Sequence, residues 1–275
     1  MRSLGGRAQR GYVDLPWGQV HYRHGGDAGA PAVLVLHQSP LSSATYEAVI
    51  EPLAKRGLRV VAPDTPGFGM SDPTPTTWTI PQYAEAAWTF ADAVGLGTVH
   101  LLGQHTGAVI AAEAAFQQPG RVDGIVLQGL PLYDDAERVQ KKTVYAPPYE
   151  PVEDGGHVRV IRDRVKGLYP RLDVAETDRQ VVEYLQTGPD YATAYRAVFD
   201  HVVDTDRLDT FPVLLLHGAD DLVDRMTPQV TAALPHAGLV TIPGGTDFVA
   251  DEQPEAFADE LARYVLRVPA AGGAR

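Results

Sequence analysis

Cysteine is absent from the 275-residue sequence. Its absence excludes disulfide bonds and thiol nucleophiles, and it fits the reducing cytoplasm, where we expect this protein to reside. Long apolar runs are also absent, and the basic N-terminal stretch lacks the apolar segment of a signal peptide. We therefore expect neither a membrane-spanning helix nor contact with a membrane.

Basic residues are too few and too scattered to form a nucleic-acid-binding face. The formal net charge is −12, and hydrophobic residues make up 44% of the sequence. Nucleic-acid binding needs clustered lysine and arginine, so we expect no nucleic-acid partner. The composition is that of a soluble globular protein, and the acidic surplus favours solubility. We expect a small-molecule substrate as the partner, and a monomer or a homodimer.

Apolar runs alternate with amphipathic segments along most of the chain. The opening residues predict a β-hairpin. Continuous apolar runs, typical of strands buried on both faces, lie at 32–37, 59–64, 99–103, 124–129, 212–218 and 239–244. Helices are predicted between them, for example over 80–95 and 254–267. This alternation predicts an α/β fold with a mostly parallel sheet.

Residues 133–206 interrupt the alternation. This stretch is richer in charge and tyrosine, contains helical patterns and lies between two predicted core strands. We interpret it as a cap over the C-terminal edge of the sheet, where open α/β sheets place their sites. The core domain would then comprise residues 1–132 and 207–275.

A glycine-framed turn joins a predicted strand to an alanine-rich helix at Gly103-Gln104-His105-Thr106-Gly107. The spacing is that of a nucleophile elbow, a strained turn that presents one side chain at the sheet edge. A side chain at either glycine would collide with the packed helix or strand. The presented residue is His105, whereas enzymes built this way usually hold serine, aspartate or cysteine at this position.

Four further segments support this interpretation. They are VLHQSPLSS (35–43), APDTPGFGMSD (62–72), PVLLLHGADDLVD (212–224) and IPGGTDFVADEQPEAFADEL (242–261). With the elbow, their order and spacing make the sequence resemble the α/β-hydrolase family over nearly its whole length. The resemblance implies the α/β-hydrolase fold, with a mostly parallel eight-stranded sheet flanked by helices and an inserted, mainly helical cap.

The sequence departs from the family pattern at the positions that carry its chemistry. His105 stands in place of the serine nucleophile, Asp247 in place of the general-base histidine, and Gln38 in place of a loop glycine. The position of the acid keeps an aspartate, Asp221. An acyl-serine mechanism is therefore not supported.

The first two departures can compensate each other. In this family the elbow residue and the last-loop residue face one another, so His105 and Asp247 are predicted to form a His–carboxylate dyad beside Asp221. Either carboxylate could fix the tautomer of His105 and leave its other ring nitrogen facing substrate or water. Because two carboxylates favour the imidazolium form, the sequence leaves open whether His105 acts as a base or an acid.

General acid/base chemistry is the favoured interpretation, with hydrolysis first and lyase, decarboxylase or isomerase chemistry second. One alternative is a non-catalytic pseudoenzyme or small-molecule-binding protein. A second is a divalent metal ion held by the histidine and the two carboxylates. A third is a stand-in hydroxyl nucleophile from Thr106 or Ser39. We expect no metal and no cofactor, since the family generally works without metals.

The remaining predictions concern substrate contacts. The backbone N–H groups of Gln38 and Thr106 are expected to form an oxyanion hole. The aromatic-rich cap favours a small organic substrate that is apolar or aromatic. The residues expected to bind it are Gln104, Tyr133, Tyr195, Phe199 and His201. The other histidines are interpreted as structural or surface residues.

Overall fold

A single sheet runs through residues 8–268, the part of the chain that the computed structural model describes. Its strands are β1 (Gln9–Leu15), β2 (Gly18–Gly25), β3 (Ala32–Leu36), β4 (Arg59–Pro63), β5 (Val99–Gln104), β6 (Val122–Gln128), β7 (Val213–Gly218) and β8 (Gly238–Ile242). Their order is β1-β2-β4-β3-β5-β6-β7-β8. The pairs β1–β2 and β2–β4 are antiparallel and the other pairs are parallel. The predicted fold class is therefore confirmed.

Helices connect most of the strands. They are α1 (Glu47–Lys55), α2 (Ile80–Ala93), α3 (Thr106–Gln117), α4 (Asp135–Val144), α5 (Gly156–Leu168), α6 (Val174–Thr187), α7 (Thr193–Phe199), α8 (Thr205–Leu208), α9 (Thr227–Ala233), α10 (Val249–Glu252) and α11 (Pro254–Val265). The short α10 was not predicted, because four residues are too few to show a helical period. Within residues 8–268, no helix is both long and apolar enough to span a membrane.

The central strands are buried because helices cover both faces of the sheet. Every residue of β5 and β6 is buried, which explains why these strands show continuous apolar runs. Helices α2 and α3 cover one face, and α1 and α11 cover the other. The many alanines of α3 let this helix lie close to the sheet, so the turn before it is held firmly in the core.

Helices α4 to α8 lie between β6 and β7 in the chain and contact the core near the C-terminal ends of the strands. The Tyr195 hydroxyl donates to the backbone carbonyl of Ser39 over 2.6 Å. The Ser42 hydroxyl donates to Glu183 over 2.8 Å. Five helices thus stand where the sequence predicts a helical cap. The boundaries of this cap, 133–206, stay a prediction. The ends of the predicted core segments, 1–7 and 269–275, lie outside the described residues.

Candidate active site

The turn between β5 and α3 presents His105 at the sheet edge. Its φ of 46° makes His105 the one non-glycine residue with a positive φ between residues 8 and 268, a strained conformation that the surrounding structure must hold in place. A Cβ on Gly103 would lie 2.2 Å from the carbonyl oxygen of Gly107, and a Cβ on Gly107 would lie 2.0 Å from that of Leu36. The steric reason predicted for both glycines is confirmed.

His105, Asp221 and Asp247 come together at this edge. The Nε2 atom of His105 lies 3.0 Å and 3.2 Å from the two carboxylate oxygens of Asp221. It lies 3.5 Å from Oδ1 of Asp247. The structure therefore brings together the three residues that the sequence singled out, two of which follow β7 and β8 and are far from the elbow in the chain.

The arrangement corrects one detail of the predicted dyad: the hydrogen-bond partner of His105 is Asp221, not Asp247. Backbone amides hold each carboxylate, since Val223 N–H donates to Asp221 and Leu222 N–H donates to Oδ2 of Asp247. The other oxygen of Asp247, Oδ1, is buried and has no hydrogen-bond partner among the described residues. The Asp247 carboxylate thus lies near the ring, 3.5 Å from Nε2, without a hydrogen bond to it.

The three groups shift one another's protonation. Burial works against a charged imidazole, but the carboxylates of Asp221 and Asp247 outweigh it and raise the pKa of His105 to about 9. Burial also opposes the charged form of Asp221, yet the adjacent imidazole holds the pKa of Asp221 below its ordinary value. Burial raises the pKa of Asp247 to about 7; the imidazole opposes this rise and Asp221 adds to it.

Gly129, directly after β6, makes room for the imidazole ring. A Cβ at this position would lie 2.6 Å from both Cδ2 and Nε2 of His105. Gly129 also has a φ of +67°, a backbone conformation that residues with a Cβ rarely adopt. The Nε2 edge of the ring therefore packs against Gly129 and the carboxylates, while Nδ1 has no hydrogen-bond partner within residues 8–268 and stays available.

A buried amide network fixes the loop that carries Asp247. The side-chain amides of Gln104 and Gln128 both donate to the Asp247 backbone carbonyl, over 2.5 Å and 2.8 Å. Their carbonyl oxygens both accept from the Tyr46 hydroxyl. Gln104 has no exposed surface and does not line the His105 cavity, contrary to the predicted substrate contact. Gln128 and Tyr46 were not predicted from the sequence, where the available signal was the two glutamines that end adjacent buried strands.

His105 faces a narrow cavity with a volume of about 20 Å³. The lining residues are Gln38, His105, Thr106, Pro131, Tyr133, Tyr145, Tyr169, Tyr195, Val198, Phe199 and Val223. The backbone N–H groups of Gln38 and Thr106 make no backbone hydrogen bond in the described part of the chain, so both donors are free. This space suits roughly one water molecule, and a larger ligand requires the helices above it to move.

The predicted substrate contacts divide between two places. Tyr133, Tyr195 and Phe199 line the His105 cavity, whereas His201 does not. His201 follows the end of α7 and lines a neighbouring cavity of about 230 Å³, which shares Tyr133 with the first. Tyr169, which the sequence analysis did not single out, also lines the His105 cavity, because α5 ends beside it.

The position of His21 differs from its interpretation. His21, interpreted as a surface or hairpin residue, is in fact buried and hydrogen-bonds to Asp64 over 2.8 Å; the antiparallel pairing of β2 with β4 brings the two together.

Among residues 8–268, His105, Asp221 and Asp247 are also the three side chains placed closely enough to hold a metal ion. In the structure Nε2 of His105 faces both carboxylates, hydrogen-bonded to Asp221 and 3.5 Å from Oδ1 of Asp247.

Comparisons with known proteins agree with this architecture. A family model described as alpha/beta hydrolase fold matches residues 31–164. Haloalkane dehalogenase 2 of Mycobacterium tuberculosis is 27% identical over 276 residues, covering 90% of this chain and 91% of that protein. A 2-hydroxy-6-oxononadienedioate/2-hydroxy-6-oxononatrienedioate hydrolase of Dechloromonas aromatica is 36% identical over 127 residues, covering 45% of this chain and 43% of that protein.

Solved structures share the fold at low sequence identity. Epoxide hydrolase A of Mycobacterium thermoresistibile superposes with a TM-score of 0.76 at 19% identity, covering 95% of this chain and 99% of that one. A thermophilic esterase of Thermogutta terrifontis superposes with a TM-score of 0.73 at 22% identity, covering 95% of this chain and 99% of that one. At such identities the likeness extends to the fold, and the chemistry must come from the site itself.

Proposed function

We propose that this chain, whose residues 31–164 match a family model described as alpha/beta hydrolase fold, is a cofactor-independent hydrolase of small organic molecules whose reaction is centred on His105. The observation that carries the proposal is the position of this imidazole. It stands at the elbow with Nε2 held by Asp221 and its ring in the wall of the cavity. A nitrogen in this position can exchange protons with a bound water or substrate.

The hydrolytic step uses the neutral form of His105. With the Nε2 proton donated to Asp221, the Nδ1 lone pair accepts a proton from water while the water oxygen attacks the substrate carbonyl. The resulting oxyanion accepts hydrogen bonds from the free N–H groups of Gln38 and Thr106. The imidazolium then returns its proton to the leaving group as the carbon–oxygen bond breaks. No covalent enzyme intermediate forms.

The two carboxylates have different parts in this scheme. Asp221 orients the ring, and both carboxylates stabilise the imidazolium that forms as water attacks. The raised pKa of His105, about 9, makes the neutral imidazole a stronger base. It also lowers the fraction of neutral imidazole at neutral pH. We therefore expect an enzyme that is more active at alkaline pH.

The same raised pKa favours a second candidate, in which His105 supplies a proton. At neutral pH the ring is mainly an imidazolium beside two free N–H donors, which suits protonation of an enolate or carbanion in lyase, decarboxylase or isomerase chemistry.

The small cavity volume, about 20 Å³, favours the non-catalytic alternative unless the helices over the site move. Turnover measurements separate these candidates.

The direct test compares two histidine variants on p-nitrophenyl acetate and p-nitrophenyl butyrate. His105→Ala should lower kcat/KM by roughly a hundredfold or more while the circular dichroism spectrum stays unchanged. His236→Ala is the matched control, because His236 is exposed and lies outside the cavity, and it should keep full activity. Equal loss in both variants, or unchanged turnover in His105→Ala, contradicts the proposal.

A further inference from the structure

Arg164, on α5, is a largely buried cation whose hydrogen-bonding capacity is only partly used. Its Nη1 atom donates to the backbone carbonyl of Tyr145 over 2.8 Å. Its Nε and Nη2 atoms are shielded from solvent and have no hydrogen-bond partner among the described residues. These two nitrogens form one edge of the guanidinium group, whose parallel N–H bonds match the two oxygens of a carboxylate.

The surroundings of Arg164 are aromatic. Its guanidinium carbon lies 5.3 Å from the ring centre of Tyr145 and 5.5 Å from that of Tyr191. Four tyrosines, Tyr184, Tyr195, Tyr191 and Tyr145, lie around its charge. Within residues 8–268, no carboxylate is paired with this guanidinium. A buried cation without an anion carries a desolvation penalty, which a bound anion would offset.

A third unused donor lies beside the guanidinium edge. Tyr184, on α6, interacts with Arg164, and its side chain is 1% exposed. Its hydroxyl lies beside Arg164 and Tyr195, but it completes no hydrogen bond of good geometry with them in the described part of the chain. Buried polar groups are rarely left unpaired unless a ligand or other partner satisfies them. Two N–H groups and one hydroxyl are therefore available to the same oxyanion.

The Arg164 site, comprising Arg164 and Tyr184, adjoins the His105 cavity. Tyr145 and Tyr195 contact the cavity on one side, and both belong to the tyrosines around Arg164. Lys141 adds a second cation, 4.6 Å from the ring centre of Tyr145. Positive charge is thus concentrated behind one wall of the cavity in a chain whose net charge is −12.

We propose that Arg164 and Tyr184 bind the carboxylate of the substrate, so that the substrate class is a small aromatic or apolar organic acid whose reacting group lies at His105. The placement of the reacting group at His105 rests on the proposed function. A carboxylate fits better than a phosphate, because the one guanidinium edge matches two oxygens and balances a single negative charge. The Tyr145 ring lies between the Arg164 site and the cavity, since it contacts the guanidinium and also lines the cavity.

The experiment measures binding, so it does not depend on turnover. Benzoate, benzamide and phenyl phosphate are titrated by isothermal titration calorimetry into wild-type protein and into His105→Ala. Benzoate should bind both proteins with similar affinity and more tightly than the uncharged benzamide. Arg164→Gln should weaken benzoate binding by about tenfold to a hundredfold, as expected for a lost charge-assisted contact, and Tyr184→Phe should weaken it less.

Two controls keep the result interpretable. Arg162→Gln lies on the same helix, but Arg162 is ion-paired with Asp178 at the surface, so it should leave benzoate binding unchanged. If Arg164→Gln fails to fold, Arg164→Lys keeps the charge without the two-nitrogen edge and should still weaken binding. The proposal is overturned if benzoate does not bind the wild type or if Arg164 variants bind it normally. It is also overturned if phenyl phosphate binds and benzoate does not. Loss of benzoate binding in His105→Ala with retention in Arg164→Gln would overturn it as well.

Discussion

Asp247→Asn tests the electrostatics of the site without knowledge of the substrate. The substitution keeps the shape of the side chain and leaves an oxygen to accept from Leu222 N–H, but it removes the ionisable group. Asp247 is buried, and one of its oxygens has no partner in the described residues. Ionisation of this carboxylate should therefore cost folding free energy.

The magnitude and sign follow from the pKa, which burial raises from 3.8 to about 7. A group whose pKa is higher in the folded state contributes stability at low pH and loses it as the pH rises through the folded-state value. The loss for Asp247 starts near the unfolded pKa and is complete above pH 7. A shift of this size corresponds to about 4 kcal/mol in total, of which about 3 kcal/mol falls between about pH 5 and pH 8.

Urea unfolding of both proteins across this pH range, followed by tryptophan fluorescence and circular dichroism, measures the difference. The free energy of unfolding of Asp247→Asn should exceed that of the wild type by an increasing amount as the pH rises. Asp220→Asn is the control, because the Asp220 side chain is 54% exposed in its pair with Arg171. Parallel stability curves for wild type and Asp247→Asn would refute the reasoning.

Three further predictions follow from the site. Because the pKa of His105 lies at about 9, kcat/KM for hydrolysis should rise about tenfold per pH unit below that value; a flat or falling profile would instead indicate a proton-donating His105. Serine-directed organophosphonates should leave the protein unlabelled by mass spectrometry, whereas an adduct on Thr106 or Ser39 would identify a hydroxyl nucleophile. Gly129→Ala places a Cβ 2.6 Å from the His105 ring, so it should lower both activity and stability, the latter by about 1–3 kcal/mol in thermal unfolding. Gly120→Ala, where nothing lies within 4 Å, should leave both unchanged, and an equal effect of the two variants would count against the packing argument.

The sequence by itself determined the α/β architecture and pointed to three residues that lie together at the candidate site. Strands buried on both faces appear as continuous apolar runs, and helices between them imply parallel pairing. The steric demands at Gly103 and Gly107 are local, so the elbow was visible in the chain. His105, Asp221 and Asp247 stood out because they occupy the positions that the resemblance to the α/β-hydrolase family assigns to the nucleophile, the acid and the general base.

Only the tertiary structure decided how these groups are paired. Which carboxylate bonds to His105 depends on distances between loops that follow different strands, and the answer, Asp221, reversed the expected preference for Asp247. The same holds for Gln104, which the sequence placed near substrate and the fold placed outside the lining of the His105 cavity. Burial and charge at a point in space arise from residues far apart in the chain. For this reason neither the pKa shifts of the site nor the unpaired edge of Arg164 could be derived from local sequence.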